Sequence, residues 1–94
     1  MVAKQVTHTV ASIGTSSGVV LAANTERTYA LIQNDDDTDD VYIKLGATAV
    51  AAEGIRLVAG GGSYEISDRN GNLDTRVING IADAASTNVM ITEG

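Results

Sequence analysis

Residues 27–45 read RTYALIQNDDDTDDVYIKL and decide the fold class. Tyr29–Ile32 is an unbroken apolar row, which is typical of a central strand covered on both faces. The acidic run Asp35–Asp40 cannot be packed, because burying an unpaired carboxylate is strongly unfavourable. In Val41–Leu45 the apolar side chains alternate with Tyr42 and Lys44, as in a strand with one buried face. The segment therefore predicts two strands joined as a hairpin by a solvated acidic loop.

Further short β-type segments lie on both sides of this hairpin. Alternation in Lys4–Ala11 predicts a half-buried strand with Val6, His8 and Val10 on one face. The other predicted strands are Val19–Ala22, Ile55–Val58, Ser63–Ser67, Arg76–Ala82 and Ser86–Thr92.

The connections between these strands follow from turn residues. Because consecutive glycines permit a tight reversal, we expect a second hairpin around Gly60–Gly62. We expect the last two strands to pair with each other. Ala47–Gly54 is rich in Ala and predicts one or two helical turns in a crossover, with Gly54 as the C-terminal cap.

Seven to eight strands separated by frequent turns predict an all-β fold, an antiparallel β-sandwich of jelly-roll type with at most one short helical turn. The chain has 94 residues, too few to divide between two cores. We expect residues 1–18 to form an N-terminal strand or arm and residues 19–94 to form the sandwich domain.

The composition suggests a weak core. The chain has no Phe, Trp, Cys or Pro, and Ala occupies many apolar positions. A domain of this size buries only about 60–65% of the surface that its unfolded chain exposes. We therefore expect neighbouring subunits to complete its stability. Tyr29, Tyr42 and Tyr64 are candidate interface anchors, although each ring could equally cap the domain's own core.

Charge and hydropathy exclude two classes of partner. The net charge is −6 and the six cations are scattered, whereas binding to nucleic acid requires clustered Lys and Arg. No stretch approaches the roughly 20 apolar residues of a membrane span, and residues 1–4 do not resemble the start of a signal peptide. We expect a soluble protein made in the cytosol.

Catalysis is not expected. The absence of Cys excludes thiol chemistry, and a single His excludes the usual zinc sites. No nucleophile elbow or phosphate-binding loop occurs. Solvent would keep the pKa values of the carboxylates in Asp35–Asp40 near normal, which does not suit acid-base catalysis. His8, between Val6 and Val10, is expected to be a packed or interfacial imidazole rather than a general base. No cofactor is implied.

Calcium is the one metal with a candidate sequence. Oxygen donors alternate around Gly71 at Asp68, Asn70, Asn72 and Asp74. The spacing departs from the EF-hand pattern, because Leu73 stands where that loop requires Gly. Two interpretations stay open: a structural Ca²⁺ site, or a turn at Asn70-Gly71 with aspartates that keep the surface soluble.

The order of segments resembles small virion proteins of tailed phages, of the head decoration or cement type. The similarity covers about Val19 to Gly94. It rests on Arg27 followed by Leu31–Asn34, then Val41–Gly46, Gly54–Leu57, Gly61–Ile66 and the ending Thr87–Gly94.

The resemblance implies a non-enzymatic homotrimer that binds the capsid exterior over joints between major capsid proteins. A neck or tail connector, or a fibre-base subunit, is an alternative. A carbohydrate-binding β-module is a second one, weakened by the absence of Trp and Phe. The strand Lys4–Ala11 could add to an edge of a neighbour's sheet, or simply pair within its own chain.

Overall fold

A computed structural model describes residues 5–94, which contain eight strands and no helix. Residues 1–4, including the predicted strand start at Lys4, lie outside the described part. The strands are β1 (Thr7–Ile13), β2 (Gly18–Leu21), β3 (Tyr29–Asn34), β4 (Val41–Leu45), β5 (Ile55–Leu57), β6 (Ser63–Ser67), β7 (Ile78–Ala82) and β8 (Thr87–Glu93). Nothing in residues 5–94 forms a helix long and apolar enough to cross a membrane.

The strands form two packed antiparallel sheets. The front sheet has the order β1-β8-β3-β6 and the back sheet the order β2-β7-β4-β5. This is the strand order of a jelly roll, in which the chain passes repeatedly between two four-stranded sheets. The predicted β-sandwich is confirmed.

The predicted strand pairing was wrong at three connections. The acidic run, the glycine turn and the β7–β8 turn each lead from one sheet to the other, so none of them closes a hairpin. The segment predicted as a helical crossover instead closes a true hairpin, in which Val41 pairs with Leu57. It contains bends and a turn, and Gly54 has a φ of +89°. Turn residues indicate where the chain reverses, but not which strand it joins afterwards.

The core is formed mainly by isoleucine. Six isoleucines are buried between the sheets: Ile13, Ile32, Ile43, Ile66, Ile78 and Ile91. β-Branched side chains pack well on a pleated surface, which explains how a chain without Phe or Trp closes its interior. Only three alanines in the described part, Ala30, Ala49 and Ala82, are buried. Most alanines lie in loops and turns, so Ala contributes little to the core.

The acidic run is an ordered connection. At its start, the fully buried Asn34 donates its side-chain amide to the carbonyls of Asp39 (2.8 Å) and Leu57 (3.0 Å). At its end, Asp40 accepts hydrogen bonds from Arg56 and from the backbone N–H of Ala59 (2.7 Å). The Ala59 N–H and Arg56 hold the pKa of Asp40 below its ordinary value of 3.8. The run thus fastens β3 to the region around β5.

Asp40→Asn is expected to lower the melting temperature at neutral pH by a few degrees. Because the pKa of Asp40 is lowered by folding, its contribution is present above pH 3.8 and is lost as the pH falls further. The variant should therefore show a weaker loss of stability below pH 4 than the wild type. Thermal unfolding between about pH 2 and pH 7 tests this. Asp37→Asn, at an exposed position, is the control. If Asp40→Asn lost as much stability below pH 4 as the wild type does, this role of Asp40 would be contradicted.

Arg27 is the largest fully buried side chain in the described residues. Its guanidinium donates to three backbone carbonyls, those of Ala22 (2.6 Å), Asp74 (2.7 Å) and Arg76 (3.1 Å). Its Nε also forms an ion pair with Glu93 at 2.8 Å. The side chain joins the end of β8 in the front sheet to segments that flank β2 and β7 in the back sheet.

Arg27→Met is expected to reduce the free energy of unfolding by about 3–5 kcal/mol, because it removes the cation paired with Glu93 and the guanidinium donor of three carbonyls. Urea unfolding followed by circular dichroism measures the change. If the Met variant does not fold, Arg27→Lys, which keeps the charge but not the planar fork, should fold with an intermediate loss. Arg69→Met, at an exposed position, should change stability little. Equal values for Arg27→Met and Arg69→Met would refute this role.

Candidate interaction surface

The outer surface of the front sheet is open to solvent and largely uncharged. We call it the front face; it comprises Val6, His8, Val10, Tyr29, Leu31, Gln33, Glu65, Met90 and Thr92. Three of the six exposed large apolar residues in the described part, Val6, Val10 and Met90, lie on it. Glu65 is its only formally charged residue in a chain of net charge −6.

The front face contains a shallow groove of about 320 Å³. Its floor is formed by the centre of β8 and β3, where Met90 pairs with Gln33 and Thr92 pairs with Leu31. His8 lies at its rim, with Nδ1 at 2.9 Å from Thr92 Oγ1. Apolar side chains thus alternate with neutral hydrogen-bonding groups across the groove, which suits contact with another protein surface.

β1 is more exposed than its pattern predicted. Thr7 to Val10 are exposed on both faces, and Val10 retains 67% of its surface. Ile13 is the buried residue of the strand, on the face opposite His8 and Val10. The expectation of a half-buried strand was wrong for this part of β1, because the back sheet covers only its C-terminal end. Val6, His8 and Val10 lie together on one face as predicted, and that face is the solvent side.

Leu31 and Met90 belong to the front face but were not singled out from the sequence. The unbroken apolar row Tyr29–Ile32 was expected to be covered on both faces. In the structure only Ala30 and Ile32 point into the core, and Leu31 is half-buried on the front face. An apolar residue at an outward position within a strand was the available indication of an exposed surface.

Tyr29 lies at the edge of the front face beside an acidic residue. Its hydroxyl donates a hydrogen bond of 2.7 Å to Glu65, which also accepts from Asn70. The bond to Glu65 raises the pKa of Tyr29, while the bonds from Tyr29 and Asn70 lower the pKa of Glu65. The one carboxylate of the front face is therefore satisfied within the chain.

The other two tyrosines lie elsewhere. Tyr42 projects from the outer surface of the back sheet, where its cross-strand neighbours are Arg56 and Ile81. Tyr64 packs against the chain's own core, and its hydroxyl accepts from Asn72. The three rings therefore do not form one site, and Tyr64 caps its own domain.

The back sheet has a more charged outer surface than the front sheet. Arg56 pairs with Asp40, and Lys44 pairs with Glu53 at 2.7 Å. Desolvating such pairs is costly, whereas covering the front face removes few charges from water. The front face is therefore the better candidate for a protein contact.

The candidate calcium ligands are engaged with protein groups. Asn72 accepts from the Ser67 N–H (3.0 Å) and donates to the Glu65 carbonyl (3.0 Å). Asp74 pairs with Arg76 at 2.7 Å, which lowers the pKa of Asp74. Asn70 is bound to Glu65, and Asp68 is exposed. Within residues 5–94, no group of three or more His, Cys, Asp or Glu side chains is arranged to hold a metal ion.

Comparison of the chain with protein-family models, curated proteins and solved structures gives no significant match.

Calcium is expected to leave the melting temperature unchanged, because Asn70, Asn72 and Asp74 already have protein partners. Thermal unfolding in EDTA and in millimolar CaCl₂ measures this, with MgCl₂ at the same ionic strength as the control. A rise specific to Ca²⁺, abolished by Asp68→Asn, would instead establish a site in this loop.

Proposed function

We propose that this chain is a non-catalytic structural protein that binds the outside of a phage shell and stabilises contacts between major capsid proteins. The observation that carries the proposal is the front face: a partly apolar sheet surface with one charged residue, Glu65, on a domain of net charge −6. The resemblance to decoration proteins supplies the identity of the partner.

The mechanism would be mass action. A subunit that binds the assembled, expanded lattice but not free capsid protein lowers the free energy of the lattice. If several linked copies engage neighbouring capsomers, the effective concentration at each site rises and the complex dissociates more slowly. The resemblance implies three copies in each oligomer, but the mechanism requires only that more than one copy is linked.

The chemistry of the front face fits this role. Leu31 and Met90 offer apolar area, while Gln33 and Thr92 offer neutral hydrogen-bonding groups. Such a surface remains soluble when free and loses little charge hydration when covered. Binding would also cost little conformational entropy of the backbone here, because β8 and β3 each have a neighbouring strand on both sides.

Binding to expanded heads of the encoding phage, prepared without this chain, tests the proposal. We expect hundreds of copies per particle and greater resistance of the loaded heads to heat. Met90→Lys, at the centre of the front face, should reduce the retained protein about tenfold at limiting concentration, a change of about 1.4 kcal/mol. Val19→Lys, exposed on the back sheet, should bind like the wild type.

Other results would contradict the proposal. Retention of only six to eighteen copies would place the chain at the neck or tail. Equal binding by Met90→Lys and wild-type protein would remove the front face from the contact. Specific retention of the purified chain on a glycan array, without binding to heads, would favour a carbohydrate-binding module.

A further inference from the structure

The two sheets have four edge strands, and three of these are protected against pairing with another chain. An unprotected edge offers free backbone N–H and C=O groups that invite a further strand. β1 is the exception, and we propose that it pairs with β1 of a second copy to form a two-fold symmetric dimer. This inference does not depend on the shell-binding role.

The edge at β6 is covered by Asn72. Its side-chain oxygen accepts from the Ser67 N–H, and its side-chain nitrogen donates to the Glu65 carbonyl. An amide side chain thus takes the place of a neighbouring strand on two backbone groups of β6. A second copy would have to displace it.

The back-sheet edges are short or irregular. β5 has only three residues, and the N–H of Ala59, just beyond it, is bound to Asp40. β2 has four residues with a register shift between Val19 and Leu21. Ser17, at its start, accepts from the N–H of Ala49. Short strands, bulges and covering loops are the devices by which proteins prevent edge-to-edge association.

β1 has none of these devices in the described residues. It is seven residues long and pairs with β8 in continuous register from Thr7 to Ile13. Residues 5–13 contain no Lys, Arg, Asp, Glu, Pro or Gly. Thr7 to Val10 are exposed on both faces, so no loop within residues 5–94 covers this part of the strand.

Charge and symmetry favour a second copy as the partner. Two chains of net charge −6 repel each other, and they approach most readily where neither carries a formal charge, as along β1. The other edges are protected, so the edge that remains for β1 is another β1. Antiparallel pairing of a strand with itself has two-fold symmetry and closes after two copies.

The expected register is the one in which the two copies of β1 overlap along their whole length. All seven residues from Thr7 to Ile13 are paired only when the axis passes beside Val10, the midpoint of the strand. Val10 then faces Val10 of the second copy, and Thr9 faces Ala11. The two valines, each 67% exposed in the single chain, would cover each other. The two front faces would join in one eight-stranded sheet.

Cysteine cross-linking tests the pairing, because the chain has no cysteine of its own. Val10→Cys should give a covalent dimer in high yield with a mild oxidant or a short bismaleimide, since directly opposed Cβ atoms lie about 4.5–5.5 Å apart. Val19→Cys is the matched control, because Val19 is 58% exposed but lies on the back sheet. It should give little dimer at the same concentration.

Sedimentation of the uncross-linked protein provides a second measurement. The wild type should sediment as a dimer at micromolar concentration. Val10→Lys should sediment as a folded monomer, with unchanged circular dichroism, because it places two like charges across the axis. Val19→Lys should remain a dimer.

A wild-type monomer or trimer would overturn the proposal, as would equal cross-linking of Val10→Cys and Val19→Cys. Each of these results concerns the purified chain alone. The shell-binding proposal would therefore remain open to its own test.

Discussion

The rest of the fold depends on one buried guanidinium. Arg27 has no exposed side-chain surface, so its charge has to be satisfied within the chain. Its guanidinium binds one carbonyl just after β2 and two carbonyls just before β7. It also pairs with Glu93 at the end of β8. Since these groups belong to segments on both sheets, the ion-pair network fixes how one end of the sandwich closes. It also positions Gly94, whose backbone pairs with Tyr29 at the margin of the front face.

A second buried polar residue fixes the other end of β3. Asn34 bonds the carbonyls of Asp39 and Leu57 and accepts the N–H of Asp36, so the acidic run is folded back towards β5. β3 is thus anchored at both ends by side chains that hydrogen-bond backbone groups. Between these anchors its inward residues fill the core and its outward residues form the centre of the front face. The two buried networks therefore fix the ends of the strand that carries Leu31 at the centre of the front face.

The sequence was sufficient to place the strands but not to pair them. Alternation located β4 and β6 at their observed bounds, because one face of each strand must be apolar. Pairing depends on long-range packing: the glycines at 60 and 61 have positive φ in either a hairpin or a step between sheets. The burial of Arg27 was also unexpected, since arginine is rarely buried and its partners are backbone carbonyls remote in sequence. From the sequence, only Val6, His8 and Val10 were predicted to share this face. Whether an apolar residue points inward depends on which sheet covers its strand, and the sequence pattern does not show this.

Association with other copies is favoured by the exposed edge strand β1 as well as by the composition of the core. The composition predicts an interior poor in large side chains, and in the structure six isoleucines fill the space between the sheets. Within residues 5–94, the first part of β1 and the apolar part of the front face beside it are exposed. Strand pairing would satisfy the edge and widen the front face, which would increase the surface available for a regular lattice. Self-association and lattice binding are therefore compatible, because they use different groups of the same sheet.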